Sequence, residues 1–326
     1  MVEQNCILFI SRDEIELMDI GSSEIMEWVE DAFREKYFRK VEIPPKPGIH
    51  PSNTTFIHAM PAYVQKFNAA GVKWISGSAL NPLKGLPYLA GLIILNDPET
   101  GLPISVMDAS WITAKRTAAV TAISAKHLAR KDSETLSIIG CGVQGKSHLE
   151  FISLVLAGLK RVKIYDTVIE KVLEYERFVK TNFGLEVFKC QSPREAIQES
   201  DLIVTATPIY KNPQPVGRIE WVKDGSLLAP LEFDSYWSPE TFYKVDKLFT
   251  DDIEQLKYYR TIGHFPLLKN VDGELCELVV GKVDGRVNDS EKILALNLGL
   301  AITDIVVAKK VYEKALAKGL GVLLKY

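Results

Sequence analysis

The chain has 326 residues, 47% of them hydrophobic and 25% charged, and a formal net charge of −3. This length fits two domains, and the composition is that of an ordinary globular protein. The small negative charge argues against nucleic acid and membranes as partners, and no apolar run reaches the roughly 18 residues of a membrane span. The four cysteines form neither a Cys-x-x-Cys pair nor a metal-ligand spacing. We therefore expect reduced thiols, no metal site and a cytoplasmic protein without a signal peptide.

The first hundred residues predict a helix followed by an antiparallel sheet. Apolar side chains recur at helical spacing across residues 12–39, with Ser22 and Ser23 as candidate caps. A loop rich in proline covers residues 44–53. Short strand-like segments follow at 54–59, 70–75 and 91–95. These short strands, closed by a clear turn at residues 96–101, favour an antiparallel sheet.

Beyond residue 110 the pattern changes to alternating helices and strands. An alanine-rich helical stretch over residues 110–130 leads into an apolar strand at 136–139, and the alternation then continues. Strands that alternate with helices indicate a parallel, doubly wound sheet. Residues 289–318 read as one long helical stretch with no strand of its own to cover. We expect this stretch to return and pack on the N-terminal sheet.

The predicted fold class is therefore α/β, with two domains. A Rossmann domain with a doubly wound parallel sheet is expected at residues 114–299. A discontinuous α+β domain is expected at residues 1–113 and 300–326.

The strand at 136–139 runs directly into a Gly-x-Gly-x-x-Gly loop, which is the strongest functional signal in the chain. Gly140 permits the tight turn, Gly142 lets the backbone approach a pyrophosphate, and Gly145 lets the following helix pack closely. The free amides of that helix N-terminus attract the phosphate charge. We expect a dinucleotide to bind at this loop, including Val143 and Gln144; the alternative is an ordinary tight turn.

An acidic residue at the end of the next strand bears on which dinucleotide binds. Asp166 follows the apolar run 162–165, where a carboxylate accepts hydrogen bonds from the adenosine ribose hydroxyls and repels a 2′-phosphate. NAD(H) is therefore preferred, and NADP(H) remains the alternative. Thr205 and Thr207 end a later strand and either line the cofactor or are ordinary strand residues.

Several motifs in family order make the chain resemble the ornithine cyclodeaminase/mu-crystallin family. They are Met60-Pro61-Ala62, Gly71-Val72-Lys73, Asn81-Pro82, Gly85-Leu86-Pro87, Thr100-Gly101-Leu102-Pro103, Met107-Asp108, Arg116-Thr117-Ala118-Ala119, the glycine loop with its Gln144, Gly285-Arg286, Gly299 and Asp304. The alanine dehydrogenases and the amino-acid dehydrogenases of siderophore precursor synthesis look most similar. The resemblance implies that Thr117 and Gly299 contact the cofactor, that the first domain binds substrate and that it forms a homodimer.

Two cations are the first candidates for substrate binding. Lys73 lies in an apolar strand and Arg116 lies among small residues on a helix, and an arginine fork suits a carboxylate. In the resembled family the matching lysine and arginine bind the substrate carboxylate; a structural ion pair is the alternative. The family has a further arginine in the proline-rich loop, where this chain has Lys46. Lys46 is therefore a weaker candidate.

His58 is a second departure from the family pattern. The ornithine cyclodeaminases carry a glutamate at this position, near the substrate amine, whereas a histidine does not supply a fixed negative charge. This difference weakens the case for a basic diamino-acid substrate. His58 is either a substrate contact or a structural histidine.

The acid–base group is expected in the loop after a strand of the second domain. The family places a catalytic aspartate there, followed six residues later by a glutamate, and Asp234 with Glu240 matches that spacing after a one-residue insertion. Glu232 competes for the role, and a helix cap is the alternative role for Asp234. Asp234 would exchange the proton of the substrate nitrogen.

The resemblance thus implies an NAD(H)-dependent oxidoreductase that moves a hydride between the nicotinamide and Cα of an amino acid. Lys73 and Arg116 would anchor the carboxylate, and the substrate would be an amino acid, a 2-oxo acid with an amine, or an imine. The alternatives are a redox-neutral ornithine cyclodeaminase and a mu-crystallin-like ligand-binding protein.

Overall fold

The computed structural model describes residues 6–210 and 213–325, which divide into two compact units. Unit 1 comprises the chain up to Arg116 together with the chain from Gly299 onward, and unit 2 comprises Thr117–Leu298. The first unit is therefore discontinuous, with one boundary at 116/117 instead of the expected 113/114 and the other at 298/299 instead of 299/300. In the described part of the chain, no helix combines the length and apolarity required to cross a bilayer.

The described residues form two sheets of eight strands each. The strands are β1 (Cys6–Ile10), β2 (Val41–Glu42), β3 (Gly48–Ser52), β4 (Thr55–Val64), β5 (Ala69–Ser78), β6 (Leu89–Asn96), β7 (Pro103–Asp108), β8 (Thr135–Ile139), β9 (Arg161–Tyr165), β10 (Glu186–Lys189), β11 (Leu202–Thr205), β12 (Leu227–Pro230), β13 (Lys247–Thr250), β14 (Gly273–Glu274), β15 (Ile293–Leu296) and β16 (Val322–Lys325). The α-helices are α1 (Arg12–Leu17), α2 (Ser22–Tyr37), α3 (Ala109–Leu128), α4 (Val143–Val155), α5 (Ile169–Asn182), α6 (Pro193–Ile197), α7 (Pro239–Lys244), α8 (Ile253–Thr261), α9 (Leu275–Val279) and α10 (Ala301–Lys318).

The sheet of unit 1 has the strand order β16-β1-β7-β6-β5-β4-β2, with β3 paired to β4. Strands β4 to β7 pair antiparallel, which confirms the expected antiparallel sheet, whereas β1 runs parallel to β7. Helix α10 packs on β4, β5 and β6. Residues along β5 alternate around its middle, where Lys73 and Ile75 are buried and Trp74 is 48% exposed. One face of the sheet is thus covered by α10 and the other remains apolar and open.

The single helix expected over residues 12–39 is wrong, because two helices, α1 and α2, occupy this region. The chain between them passes through Asp19 at a φ of 51°, a left-handed conformation that ends a helix. Gly21, and neither of the expected serines, is the N-cap of α2, and its amide donates to the Glu24 carboxylate at 3.1 Å. The periodic apolar pattern did not register this break.

The sheet of unit 2 is wholly parallel and has the order β10-β9-β8-β11-β12-β15-β13-β14. Every residue of β8, β11, β12 and β15 is buried, as expected for strands covered on both faces. The order of the strands reverses direction between β8 and β11, and such a switch point is where open α/β sheets bind ligands. This topology confirms the predicted doubly wound α/β fold.

The long helical stretch expected over 289–318 is also wrong in its first part. Residues Ile293–Leu296 form the buried strand β15, which lies between β12 and β13. Gly299 follows at a φ of 84°, and α10 begins only at Ala301. A short apolar run looks alike as a buried strand and as a helix segment, so periodicity alone did not separate the two.

Candidate active site

Lys73 is a charged side chain that is almost fully buried in unit 1. It lies on β5 facing α10, opposite Met60 of β4 and Ile93 of β6, and only 1% of it is exposed. Its Nζ donates to Oδ1 of Asp304 at 2.8 Å. Asp304 lies in the first turn of α10, where the helix dipole favours a carboxylate. The lysine thus has its counter-charge supplied by the covering helix.

Arg116 shares that carboxylate with Lys73. Its Nε donates to the same Oδ1 of Asp304 at 2.8 Å, and 7% of its side chain is exposed. Within the described residues, neither terminal guanidinium nitrogen is used in a hydrogen bond. Gly299 leaves room for this guanidinium, since an added Cβ would lie 3.1 Å from Nη1. Two planar donors therefore remain for an anionic ligand.

Lys46 completes a set of four buried charged residues that we call the carboxylate cluster: Lys46, Lys73, Arg116 and Asp304. Lys46 is 7% exposed, and its Nζ donates to the Gly299 carbonyl at 3.3 Å. The structure thus brings the three predicted substrate-binding cations together in one unit. Gly299, which the family resemblance assigned to the cofactor, lies against Lys46 and Arg116 in the same unit.

The carboxylate cluster holds more positive than negative charge. Burial and the neighbouring Arg116 lower the pKa of Lys73 to about 7, although Asp304 opposes this shift. Oδ2 of Asp304 is buried and accepts no hydrogen bond from the residues described. A cluster of three cations and one carboxylate is suited to an added anion, because an opposite charge stabilises buried cations.

Asp304 is the member of the cluster that sequence reasoning missed. It was quoted only as one of the motifs shared with the family and was given no role. The available signal was a carboxylate among small and apolar residues on α10, since Ile302, Ile305 and Val306 are fully buried. A buried acid in such a helix requires a partner.

His58 lies on β4 on the same face as Lys73, but its described contacts are with other residues. The pairing places it opposite Gly48 of β3 and Ile75 of β5. Its ring lies 4.8 Å from that of Phe56, and a Cβ at Gly48 would come within 2.3 Å of its Cδ2. These contacts give His58 a structural role, and its role as a substrate contact stays a prediction.

The glycine loop of unit 2 has the backbone geometry that a pyrophosphate requires. Gly140 has a φ of 104°, and a Cβ there would lie 2.4 Å from the Ala206 carbonyl oxygen. Gly142 is the N-cap of α4 without a side-chain hydrogen bond, and a Cβ there would meet nothing within 4 Å. Val143 at the first turn is 63% exposed. The first amides of α4 therefore face open space, as anion binding requires.

The carboxylate of Asp166 fixes the position of the glycine loop. Its Oδ2 accepts from the Cys141 amide at 2.9 Å, and its Oδ1 accepts from the Val168 amide at 3.0 Å. In the same loop, Oε1 of Gln144 is buried and has no hydrogen-bond partner in the described part of the chain. Gly145 packs at the start of α4, where a Cβ would lie 2.5 Å from the Gly140 carbonyl oxygen. The residues of the loop thus fit a dinucleotide.

Thr205 and Thr207, near the carboxyl end of β11, donate hydrogen bonds to a buried acid. Thr205 Oγ1 donates to Oε1 of Glu232 at 2.6 Å, and the Thr207 amide donates to Oε2 at 3.3 Å. Glu232 is 1% exposed, and burial raises its pKa to about 8. Trp237 Nε1 also donates to Thr205 Oγ1, at 3.2 Å. Burial therefore favours the protonated form of Glu232.

Asp234 differs from Glu232 in both its partners and its charge. Its Oδ1 lies 2.8 Å from Nδ1 of His264, and its Oδ2 accepts from the Phe265 amide at 2.8 Å. Burial opposes its ionisation, but the bonds from His264 and Phe265 lower the pKa of Asp234. The alternative role as a helix cap is not observed, because Ser238 is the N-cap of α7. Two acids in one loop are thus held in opposite protonation states.

His264 is a second residue that sequence reasoning missed. It lies 30 residues from Asp234, beyond α8, and no motif or periodicity in the sequence connects the two. Thr117, the remaining predicted cofactor contact, is half-buried on α3 at the start of unit 2. The sites of unit 2 thus combine the glycine loop, the two threonines and the acidic loop after β12.

Comparisons with known proteins identify relatives of this chain. The model of the ornithine cyclodeaminase/mu-crystallin family matches residues 8–319. An alanine dehydrogenase of Archaeoglobus fulgidus is 37% identical over 327 residues, which cover 98% of this chain and 98% of that protein. The structure of Thermococcus litoralis Δ1-pyrroline-2-carboxylate reductase with NADH and L-proline has a TM-score of 0.87 at 33% identity, covering 97% of this chain and 99% of that one. An archaeal alanine dehydrogenase dimer with bound NAD has a TM-score of 0.86 at 34% identity, covering 98% and 99%.

Proposed function

We propose, since this chain belongs to the ornithine cyclodeaminase/mu-crystallin family, that it is an NAD(H)-dependent oxidoreductase acting on an amino acid or the corresponding imine. The observation that carries the proposal is the carboxylate cluster of unit 1 in a chain whose unit 2 has a dinucleotide loop. Relatives at 33% to 37% identity are named as dehydrogenases and reductases of amino acids and cyclic imines, which supports the same chemistry here.

The carboxylate cluster binds the substrate carboxylate in this proposal. Arg116 presents its two terminal nitrogens as a fork, and Lys73 and Lys46 supply further positive charge. Asp304 holds Lys73 and Arg116 in place through its Oδ1. Because burial and Arg116 lower the pKa of Lys73 to about 7, a bound carboxylate favours the protonated form of this lysine.

Unit 2 binds the dinucleotide through the backbone amides of α4 and the carboxylate of Asp166. A nicotinamide cofactor supplies the hydride chemistry when it is bound. Asp166 directly follows β9, where its negative charge disfavours a 2′-phosphate and its oxygens suit the ribose hydroxyls. Thr205 ends β11 and Thr207 lies two residues beyond it, next to the switch point of the sheet. We therefore assign NAD(H) as the cofactor.

The proton of the substrate nitrogen is assigned to Asp234 and its surroundings. Asp234 is ionised, and 14% of its side chain is exposed, so it can interact with a ligand. Glu232 is 1% exposed. The less buried Asp234, together with its partner His264, is the better candidate for exchange of a proton with a ligand.

We further propose a homodimer formed through the open face of the unit 1 sheet. Trp74 of β5 pairs with Leu92 of β6 on this face, and they are 48% and 44% exposed. An exposed apolar sheet face of this kind marks an interaction surface, and a related archaeal alanine dehydrogenase is described as a dimer. Trp74→Glu is expected to give a monomer in sedimentation velocity, whereas Leu83→Glu, at a residue 83% exposed outside this sheet, leaves the dimer intact. A monomeric wild type would contradict the proposal.

Nicotinamide absorbance tests the function directly. The purified protein would be given NADH or NADPH with 2-oxo acids plus ammonia, 2-oxo acids plus methylamine, and cyclic imines. Consumption of NADH with one of these acceptors is expected. If proline forms from ornithine with catalytic NAD and no net NADH change, the protein is a cyclodeaminase. If no assay shows NADH consumption or proline formation, only a ligand-binding role is left.

A further inference from the structure

The Asp234–His264 pair is held by two aromatic residues in an unusual backbone conformation. Phe233 precedes Asp234 with a φ of 58°, and Phe265 follows His264 with a φ of 53°. Bulky side chains rarely adopt this left-handed region, and such strain concentrates at functional sites because the surrounding structure must enforce it. Phe265 is fully buried and Phe233 is 7% exposed, so packing holds both in place.

The geometry gives the two side chains different tasks. Both carboxylate oxygens of Asp234 are engaged, one by His264 Nδ1 and the other by the Phe265 amide. In the described residues the His264 side chain forms its hydrogen bond through Nδ1, and 25% of the side chain is exposed. An ionised carboxylate at Nδ1 fixes the tautomer that carries its proton there, so the other nitrogen, Nε2, is an acceptor.

The surroundings of His264 are aromatic, with Asp234 as the charged neighbour. The rings of Phe233 and Tyr259 lie 5.5 and 5.4 Å from the imidazole, and that of Phe265 lies at 6.0 Å. Asp234 comes from the loop after β12, and Tyr259 comes from α8; burial raises the pKa of that tyrosine, which keeps it neutral. The imidazole is therefore oriented by one carboxylate and shielded by rings.

We propose that His264 is the group that exchanges a proton with the substrate nitrogen, and that Asp234 is a positioning residue acting through it. This inference rests on the proposed function and names the acid–base residue of that same site. Asp234 follows β12, whose carboxyl end lies at the edge of the sheet where α/β proteins bind ligands, and it holds His264 beside it. An Asp–His pair of this kind recurs wherever a histidine must accept and return a proton.

In amino-acid oxidation, His264 Nε2 accepts a proton from the substrate nitrogen while the hydrogen on Cα leaves with its electron pair to the oxidised nicotinamide. The nitrogen lone pair then forms the C=N bond. In the reverse direction, His264 Nε2 returns the proton to the nitrogen as Cα receives the hydride. Asp234 stabilises the imidazolium form through Nδ1 in both directions.

Chemical rescue tests this assignment, because an external imidazole replaces a proton carrier but does not repair a structural defect. With the acceptor found active for the wild type, His264→Gln is expected to lower kcat about 10²- to 10⁴-fold. The dissociation constant of NADH, measured by fluorescence, should stay within about twofold. His264→Gly is expected to regain activity in proportion to added imidazole, whereas Asp234→Asn, which still carries the histidine, is not rescued.

Two different failures are distinguishable. If the wild type turns over an acceptor but His264→Gln keeps kcat within about threefold, or His264→Gly is inactive and unaffected by imidazole, the role of His264 is wrong and the proposed function stands. If the wild type consumes no NADH with any acceptor and forms no proline from ornithine, the proposed function fails and the proton-exchange role of His264 fails with it.

Discussion

Lys73 and Asp304 join the sheet of unit 1 to the helix that covers it, with 2.8 Å between Nζ and Oδ1. Arg116 donates to the same oxygen at 2.8 Å, so one buried carboxylate holds two cations. The arrangement leaves Oδ2 of Asp304 without a hydrogen bond from any described residue and leaves positive charge in excess. In the proposed function, a substrate carboxylate supplies the negative charge that this arrangement lacks.

The first prediction concerns the stability that Asp304 provides. Asp304→Ala leaves the buried Lys73 and Arg116 without their counter-charge, which is expected to cost about 3–5 kcal/mol of unfolding free energy. Glu313→Gln on the same helix is the matched control, because the Glu313 side chain is 43% exposed and its ion pair with Lys310 is worth about 0–1 kcal/mol. Urea denaturation of both variants measures the difference. Equal losses would show that the buried carboxylate has no special role.

The second prediction concerns proton uptake on substrate binding. Burial and Arg116 lower the pKa of Lys73 to about 7, so at pH 8 most molecules carry a neutral lysine. A bound carboxylate raises that pKa, and binding at pH 8 should take up close to one proton. Calorimetry in buffers of different ionisation enthalpy, with the active amino acid as ligand, measures the uptake. Lys73→Met should abolish the proton uptake. Arg116→Lys should bind the amino acid more weakly but should still take up the proton. An unchanged uptake in Lys73→Met would contradict the proposed role of Lys73.

The third prediction concerns cofactor choice. Asp166→Asn removes the charge beside the glycine loop but keeps an oxygen for the Cys141 amide, so the loop should stay in place. The wild type is expected to bind NADH more tightly than NADPH, and the variant should lower that preference about fivefold, because a like-charge repulsion of about 1 kcal/mol is lost. Glu170→Gln, an exposed acid in the first turn of α5, is the control. Equal binding of both cofactors by the wild type would refute the assignment.

The fourth prediction concerns Glu232 and pH. Its pKa is raised to about 8 in the fold, so between its ordinary value and pH 8 the folded state binds more protons than the unfolded state. Stability from this group is thus fully present below the ordinary pKa and is lost as the pH rises toward 8. Glu232→Gln mimics the protonated form and should gain thermal stability relative to the wild type from pH 5 to pH 9. The exposed Glu186→Gln should not gain stability in this way. If the thermal stability of Glu232→Gln and that of the wild type changed in parallel with pH, the raised pKa of Glu232 would be contradicted.

Much of the fold follows from local sequence signals. The glycine loop, the apolar strands and the turns specify the doubly wound sheet and the antiparallel sheet, because backbone geometry at Gly140 and burial on both faces of β8 leave few alternatives. The boundaries of the helices and strands are harder to predict from the sequence. Strand β15 lies in a segment for which the sequence predicts a helix, because four apolar residues in a row have no diagnostic period.

The candidate site was predictable where it depends on single residues with distinctive chemistry. Lys73, Arg116 and Lys46 were singled out individually, but their common partner Asp304 comes from the far end of the chain, and only the fold brings it to Lys73. The role of His264 is not predictable from the sequence for the same reason, because its hydrogen bond to Asp234 depends on how the chain returns after α8. The opposite protonation states of Glu232 and Asp234 likewise arise from burial and hydrogen bonds that no spacing encodes.

Deuterium transfer tests the central claim most directly. The protein would be incubated with NADH carrying deuterium at C4 of the nicotinamide and with the acceptor that supports turnover, and the product amino acid would be examined by mass spectrometry and NMR. A product with one deuterium at Cα is expected when the label is on the transferred face. A product that forms with no deuterium at Cα from either face of the labelled cofactor would contradict the account.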